Sequence, residues 1–306
     1  MRGGWTACLA GACAAFPTQQ EWKTWVEKLE QEHNFSAKFG KHPLLLKGAP
    51  GAGALTVHDI VELSERLHLP AGPNGFFPSE PETFEPVRIR RGKRLTKEAI
   101  YERLANGTMV MNDAGATFPA VTPLVHAFLD AFQLPIGVNV YVTHPTRTVS
   151  VPMHTDRQDV VVVQTSGTKH WLVYPPVVEM PGEHQERGKS GDVIAPDEVG
   201  PVLINATLHP GDAIYVPRGF VHATSSGKSA GGTSADDEEV SVSLTVGIQT
   251  ESMSLTWDKV LLCGLFLQGD PPTPKDWQYV VGSSAQLRRP LPLGVAVGAS
   301  GAAGEG

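Results

Sequence analysis

The feature that most restricts the fold is a set of two histidines and one aspartate drawn from distant parts of the chain. His154 and Asp156 are separated by one residue, and His222 follows 66 residues after Asp156. In an extended strand, residues two positions apart point to the same face, so His154 and Asp156 can reach one ion from a single strand. The third ligand then has to come from a distant strand. A β-barrel, in which distant strands become neighbours, meets this requirement.

The residues before His222 are compatible with that geometry. A Gly-Asp pair at 211–212 is typical of a turn, and residues 213–216 are typical of a short strand. A Pro-Arg-Gly triplet at 217–219 then predicts a second tight turn that presents His222 at the start of the next strand. Two imidazoles and one carboxylate on one face form a facial triad with open coordination positions, which suits non-haem Fe(II) and O2 chemistry. A lone His-x-Asp pattern is common, so it indicates a metal site only if the neighbouring sequence also fits one.

The surroundings predict a hairpin that contains an unusual lysine. Residues 158–164 include an unbroken run of four valines, which indicates a strand buried on both faces. A turn is predicted at 166–167 and a returning strand over 169–174. Lys169 lies on this otherwise apolar hairpin, and a buried ammonium is costly without an anionic partner. A dicarboxylic cosubstrate that chelates the metal would supply that partner.

Five segments in this order resemble the Jumonji-C and cupin-type 2-oxoglutarate oxygenases, in particular the ribosomal-oxygenase branch of protein hydroxylases. The matching segments are residues 139–143, 154–159, 164–171, 209–223 and 241–247. An ordered set of this kind is far more specific than any one of its members. The resemblance implies an α+β fold in which a double-stranded β-helix, a cupin or jelly-roll barrel, carries an N-terminal helical layer.

The resemblance also implies roles for individual residues. The expected Fe(II) ligands are His154, Asp156 and His222. Lys169 is expected to pair with the distal carboxylate of 2-oxoglutarate. The expected additional walls of the cosubstrate pocket are Asn139, Tyr141, Ser243 and Thr245, the last two as alternatives for one contact. No catalytic residue is expected beyond the metal site, because the metal and cosubstrate supply the oxidising power.

The implied activity is Fe(II)- and 2-oxoglutarate-dependent hydroxylation of a protein side chain by a dioxygenase that releases succinate and CO2. The implied substrate is a basic protein, either a ribosomal protein or another protein, or a histone in the alternative of lysine demethylation. Two other classes stay open: a non-catalytic metal-binding cupin, and a Zn(II) or Mn(II) cupin that does not use 2-oxoglutarate. Lys169 beside Asn139 and Tyr141 disfavours the non-catalytic cupin, because a metal site alone needs no anion pocket.

Composition restricts partners and setting. The net charge of −7 argues against direct nucleic-acid binding. The basic residues 88–94 are interpreted as a solvated loop or edge strand, with a docking patch or nuclear-localisation signal as the alternatives.

The cysteine content predicts the cellular setting. Three cysteines at no metal-binding spacing predict a reducing intracellular setting, in the nucleus or cytoplasm. Residues 1–16 weakly resemble a targeting peptide. No run of 18 apolar residues occurs, so no membrane span is expected. The oligomeric state is left open.

The expected organisation is a flexible leader (1–18), a helical N-terminal part (19–137), the barrel core (138–250), a C-terminal helix and extension (251–292) and a flexible tail (293–306). Helices are predicted over 21–33, 56–67 and 96–106 and from 122, with a C-terminal helix over 256–267. Two insertions interrupt the barrel at 177–201 and 223–239. The first is interpreted as a solvated loop, with a substrate-facing lid as the alternative, and the second as disordered.

Overall fold

The computed structural model describes residues 16–67, 75–78, 87–88, 95–145, 147–182, 185–189, 191–226, 239–251, 256, 261–262, 265 and 272–288. The three cysteines, most of the basic run at 88–94 and nearly all of the predicted leader, the second insertion and the tail lie outside these residues. The predictions made for those segments therefore stay predictions.

A layer of helices precedes the barrel. Its members are α1 (Gln19–His33), α2 (Phe35–Lys38), α3 (Val57–Leu67), α4 (Lys97–Asn106), α5 (Ala114–Thr117) and α6 (Thr122–Phe132), and α7 (Pro274–Ser283) follows the barrel. In the described ranges, no helix is long and apolar enough to cross a membrane. The four helices predicted in the N-terminal part are confirmed within a few residues.

Local sequence explains where these helices begin and which face they bury. Thr18 and Glu21 form a reciprocal capping box at the start of α1, and the Thr96 side chain caps α4. The predicted apolar stripe of α1 is buried; it consists of Trp22, Trp25, Val26 and Leu29. The helical layer therefore packs through the face that the sequence periodicity predicts.

Twelve strands of the described chain form two antiparallel sheets. The eight-stranded sheet has the order β1 (Leu44–Leu46), β10 (Ala213–Val216), β7 (Asp159–Ser166), β12 (Ser241–Ile248), β5 (Ile136–Thr143), β4 (Gly107–Met111), β2 (Gly75–Pro78), β3 (Val87–Arg88). The four-stranded sheet has the order β6 (Val151–His154), β11 (Phe220–Ser225), β8 (Lys169–Pro176), β9 (Ile204–Leu208). The two sheets make the double-stranded β-helix that the sequence predicts.

Strand β7 of the large sheet is buried on both faces. Val161 and Val163 of β7 point to the cluster that the helices cover, whereas Val160 and Val162 point to the barrel interior. The interior cluster joins residues of both sheets: Val160, Val162, Ile214 and Val216 with Trp171, Val173, Leu208 and Phe220. The valine run is thus a strand with two buried faces, as its composition predicts.

Three parts of the fold differ from the sequence expectation. The segment expected to be helical also supplies β1 to β4, which extend the large sheet. The second insertion begins after Ser225 rather than at residue 223, because β11 continues to Ser225 and pairs with β8 there. The helix α7 has no counterpart in the prediction, whereas most of the predicted C-terminal helix lies outside the described residues.

Candidate metal centre and adjoining cavity

The structure brings His154, Asp156 and His222 together. His154 ends β6 and is the direct cross-strand partner of His222 on β11, so strand pairing alone sets the two imidazoles side by side, with ring centroids 4.2 Å apart. Asp156 follows β6, with Oδ2 3.6 Å from His222 Nε2 and Oδ1 3.9 Å from His154 Nε2. One ligand atom from each residue lies within 4.8 Å of the others. This is a spacing at which one ion can contact all three.

Backbone carbonyls orient both histidines. His154 Nδ1 lies 2.8 Å from the Pro152 carbonyl oxygen, and His222 Nδ1 lies 3.1 Å from that of Phe220. A carbonyl can only accept, so each Nδ1 carries the proton and each Nε2 presents its lone pair. Such a partner fixes the tautomer and the ring orientation of a metal-binding histidine.

The electrostatics favour a cation at this point. Burial lowers the pKa of both histidines, which keeps them neutral and able to donate lone pairs. Burial acts to raise the pKa of Asp156, but the Lys189 ammonium and its hydrogen bond to the carboxylate hold that pKa well below its usual value. Asp156 is therefore an anion across the physiological range, as a metal ligand must be.

The main chain of Asp156 is fixed by the turn that precedes β11. The Gly219 N–H donates to the Asp156 carbonyl oxygen at 2.9 Å. Gly219 has φ +85°, and a Cβ there would overlap Pro181 and the Val178 carbonyl, so this close approach needs glycine. The predicted tight turn thus positions two ligands, His222 by sequence and Asp156 by hydrogen bonding.

A cavity adjoins the three ligands. Its other lining residues are Tyr141, Val151, Val160, Val162, Lys169, Trp171, Thr224, Ser243 and Thr245. Four of the five sequence-predicted cosubstrate residues, Lys169, Tyr141, Ser243 and Thr245, therefore lie at the cavity. Ser243 and Thr245 both line it, so the structure does not force a choice between the two.

Lys169 is a buried cation at this cavity. Only 2% of the residue is exposed, its Nζ donates to Thr143 Oγ1 at 3.1 Å, and it lies 5.6 Å from the Tyr141 ring centroid. Burial lowers the pKa of Lys169 to about 7, and no carboxylate of the described residues pairs with it. Burial and the Asp156 carboxylate raise the pKa of Tyr141, so its phenol stays protonated. An anion with hydrogen-bond acceptors would satisfy both side chains.

Asn139 departs from the prediction, because it does not line the cavity. Its Oδ1 accepts a hydrogen bond at 3.3 Å from the backbone N–H of Asp113, the left-handed residue that precedes α5. Strand alternation does put Asn139 and Tyr141 on one face of β5, as expected. The Asn139 amide is nevertheless engaged by the neighbouring turn, at the end of the strand away from Lys169.

Two cavity residues were missed by sequence reasoning. The Trp171 ring stacks on the His222 ring, with centroids 5.8 Å apart, and both Trp171 Nε1 and Thr224 Oγ1 are buried without a hydrogen-bond partner. Buried polar groups of proteins are normally paired, so two unpaired groups at one cavity fit a polar ligand there. Strand periodicity could have found both, because Trp171 lies two residues after Lys169 and Thr224 two after His222.

The first insertion does not behave as the solvated loop that was expected. Its residues 185–189 run beside β6, and Lys189 Nζ donates to Asp156 Oδ1 at 2.7 Å and to Glu186 Oε1 at 2.6 Å. The Lys189 side chain is only 19% exposed. No sequence pattern connects Lys189 with Asp156, 33 residues away.

The donor set fits a resident Fe(II), because imidazoles suit this metal and two imidazoles with one carboxylate leave coordination positions for other groups. Comparison with known protein families agrees with the geometry: the model of the JmjC domain matches residues 123–254. Residues 123–254 are therefore similar to the JmjC domain family. All three candidate ligands, Lys169 and Lys189 lie within this matched segment.

Curated relatives are similar to part of this chain. The bifunctional lysine-specific demethylase and histidyl-hydroxylase NO66 of Drosophila willistoni is 28% identical over 176 residues, 57% of this chain and 20% of that protein. Ribosomal oxygenase 2 of Bos taurus is 38% identical over 87 residues, 28% of this chain and 17% of that protein. The chain therefore spans about a fifth or less of the length of these relatives.

A solved structure shares the fold of the barrel and its helical layer. The ycfD protein of E. coli superposes with a TM-score of 0.51 and 15% identity, over 81% of this chain and 60% of that one. This similarity supports the double-stranded β-helix with an N-terminal helical layer.

Proposed function

We propose that the chain is an Fe(II)- and 2-oxoglutarate-dependent oxygenase that hydroxylates a protein side chain. One observation carries the proposal: a two-histidine, one-aspartate set shares a cavity with a buried lysine that no described carboxylate pairs with. A metal site alone gains nothing from a buried cation beside it, since the cation is costly to desolvate. A dicarboxylate that binds the metal at one end and Lys169 at the other accounts for both features.

In this mechanism Fe(II), O2 and 2-oxoglutarate supply the oxidation when bound, and the protein supplies binding and geometry. His154, Asp156 and His222 would hold the metal through neutral Nε2 atoms and one carboxylate. Lys169 would bind the distal carboxylate of the cosubstrate, with hydroxyl donors from Ser243 or Thr245. The interior cluster beneath the cavity, which includes Val160 and Val162, excludes water from this end of the site.

The proposed substrate is a side chain of a ribosomal protein. The names of the relatives support this choice, because two of them are a ribosomal oxygenase and a histidyl-hydroxylase. Demethylation of a histone lysine is the second candidate, since the NO66 relative is also named a lysine-specific demethylase. Both reactions begin at a C–H bond, so the same metal site serves either.

The test is a succinate assay with protein loaded with Fe(II) without oxygen and then given O2, 2-oxoglutarate and candidate peptides. We expect succinate, and mass spectrometry should show one added oxygen on a ribosomal-protein peptide. Loss of a methyl group from a histone peptide would instead favour the demethylase. Tight metal binding with no succinate for any peptide would refute the oxygenase and favour a non-catalytic cupin. Asp156→Ala is the matched inactive control.

The proposed setting is the nucleus or the cytoplasm. The support for it is the cysteine content, with three cysteines in the whole chain at no disulfide-like or metal-binding spacing. Fractionation of cells that express the tagged chain would test it.

A further inference from the structure

We infer that Lys189, held by Glu186, is a positioning residue that keeps Asp156 as a one-oxygen ligand and so preserves the coordination positions that a chelating cosubstrate needs. The inference rests on the metal site of the proposed function. It assigns a task to the first insertion, for which the sequence predicted only a solvated loop or a lid.

The contacts place Lys189 against one particular oxygen of the carboxylate. Lys189 Nζ lies 2.7 Å from Asp156 Oδ1, whereas Asp156 Oδ2 lies 3.6 Å from His222 Nε2. The Lys189 and Asp156 side chains are 19% and 18% exposed, so the pair is largely screened from water. A charge-assisted hydrogen bond of this length is about twice as strong as a neutral one. Oδ1 is therefore engaged by the protein itself.

The backbone around Lys189 is docked firmly enough to hold that position. Thr155 N–H donates to the Arg187 carbonyl at 3.0 Å, and Arg187 N–H donates to Thr155 Oγ1 at 2.8 Å. Gly188, with φ +74°, packs so closely on β6 that a Cβ would overlap the Met153 carbonyl oxygen. The Arg187 guanidinium is in turn fixed by Asp192. The segment thus lies along the edge strand that carries His154.

A carboxylate can bind a metal through one oxygen or through both. Two-oxygen binding by Asp156 would fill a position that the facial triad leaves open, and 2-oxoglutarate and O2 together need all three open positions. A lysine on Oδ1 opposes two-oxygen binding, because the ammonium would have to give up its bond and remain beside a dication. Lys189 therefore favours the one-oxygen mode.

Glu186 offsets the charge that Lys189 introduces. Its Oε1 lies 2.6 Å from Lys189 Nζ, with the Glu186 side chain 20% exposed. Asp156 and Lys189 alone would sum to zero charge, whereas the three residues together carry one negative charge. The attraction for a divalent cation is thus kept while the hydrogen bond to Oδ1 is made.

The experiment compares Co(II) binding and 2-oxoglutarate binding in the full chain and in Lys189→Met, Lys189→Arg and Glu186→Gln. Calorimetry gives both affinities, and the visible absorption of the Co(II) protein reports coordination number, because it weakens as ligands are added. Lys47→Met is the matched control, since Lys47 also pairs with an aspartate but lies at the surface, 73% exposed. Circular dichroism checks that each variant is folded.

We expect Lys189→Met to bind Co(II) at least as tightly as the wild type, to show weaker Co(II) absorption, and to bind 2-oxoglutarate about tenfold more weakly, the equivalent of about 1.4 kcal/mol. Lys189→Arg should recover most of the cosubstrate affinity. Glu186→Gln should also weaken 2-oxoglutarate binding, by a smaller factor, but it should weaken Co(II) binding as well, because the negative charge of Glu186 is lost. Its effect on the Co(II) absorption keeps the test available if Lys189→Met does not fold.

Three results would overturn the inference. Unchanged 2-oxoglutarate affinity in folded Lys189→Met would show that Asp156 needs no such partner. Tighter Co(II) binding with unchanged absorption would show that Lys189 only competes with the metal for the Asp156 carboxylate and does not set its coordination mode. Equal loss of both affinities would make it structural. A chain that binds Co(II) and 2-oxoglutarate normally but never forms succinate would refute the proposed function and leave this inference intact, because no measurement here requires turnover.

Discussion

Replacement of Lys169 by methionine should strengthen the fold and weaken cosubstrate binding at the same time. The lysine is 2% exposed, and its pKa is lowered from 10.5 to about 7 by burial. At 1.36 kcal/mol for each pKa unit, burial destabilises the protonated form of Lys169 by roughly 5 kcal/mol in the protein without 2-oxoglutarate. Removing one partner of a buried ion pair costs about 3–5 kcal/mol, so 2-oxoglutarate affinity should fall by about two to three orders of magnitude.

The stability gain should depend on pH. The folded pKa of about 7 lies below the unfolded value, so the unfolded state binds more protons between pH 7 and pH 10.5. Wild-type stability therefore rises with pH across this window, whereas Lys169→Met lacks the effect. The advantage of the variant in urea unfolding should be largest at pH 6 and much smaller at pH 9.

Lys47→Met, at an exposed position, is the control for both measurements. A folded Lys169→Met that is less stable at pH 6 and binds 2-oxoglutarate normally would refute the reasoning. In that case the lysine would matter only for its hydrogen bond to Thr143.

Other expectations are simpler to test. His154→Ala combined with His222→Ala should abolish tight Fe(II) retention, and metal analysis that still finds one tightly held ion would contradict the assignment. The apparent affinity for 2-oxoglutarate should fall as the pH rises above about 7, because the empty-site Lys169 loses its proton there, and calorimetry of the Mn(II) protein at several pH values measures this. Gly188→Ala should displace the segment that carries Lys189 and reproduce the cosubstrate defect of Lys189→Met without touching a charged group. Deleting residues 227–236 should leave uncoupled 2-oxoglutarate turnover nearly unchanged, whereas loss of succinate formation without peptide would show that this segment supports the site.

The sequence predicted those parts of the fold and the site that depend on local periodicity. Helix α1 follows from its apolar stripe, and β7 from a run of valines with no polar face. His154 and Asp156 could be paired in advance because residues two apart on a strand share a face, and His222 because the predicted turn at 217–219 presents it at the start of the next strand. In each case the residues carry their own structural preference.

What the sequence did not reveal depends on contacts between distant segments. β4 consists of Gly107–Met111, and its strand state comes from pairing with β5 rather than from a strong alternation. The family resemblance places the Asn139 side chain at the cavity, but in the structure its Oδ1 accepts a hydrogen bond from the backbone N–H of Asp113. Lys189 reaches Asp156 only because the first insertion folds back along β6. Tertiary contacts of this kind leave no periodic signal.

Because β7 is buried on both faces, substitutions of adjacent residues in this strand affect different parts of the protein. Val160 and Val162 help to shape the cavity, and Val161 and Val163 contact the helical cover. Changes of side-chain volume at Val160 or Val162 can therefore alter which ligand fits the cavity. Changes at Val161 or Val163 alter how the helical layer packs on the sheet. Selection on ligand preference and selection on thermal tolerance can thus act through neighbouring codons without opposing each other.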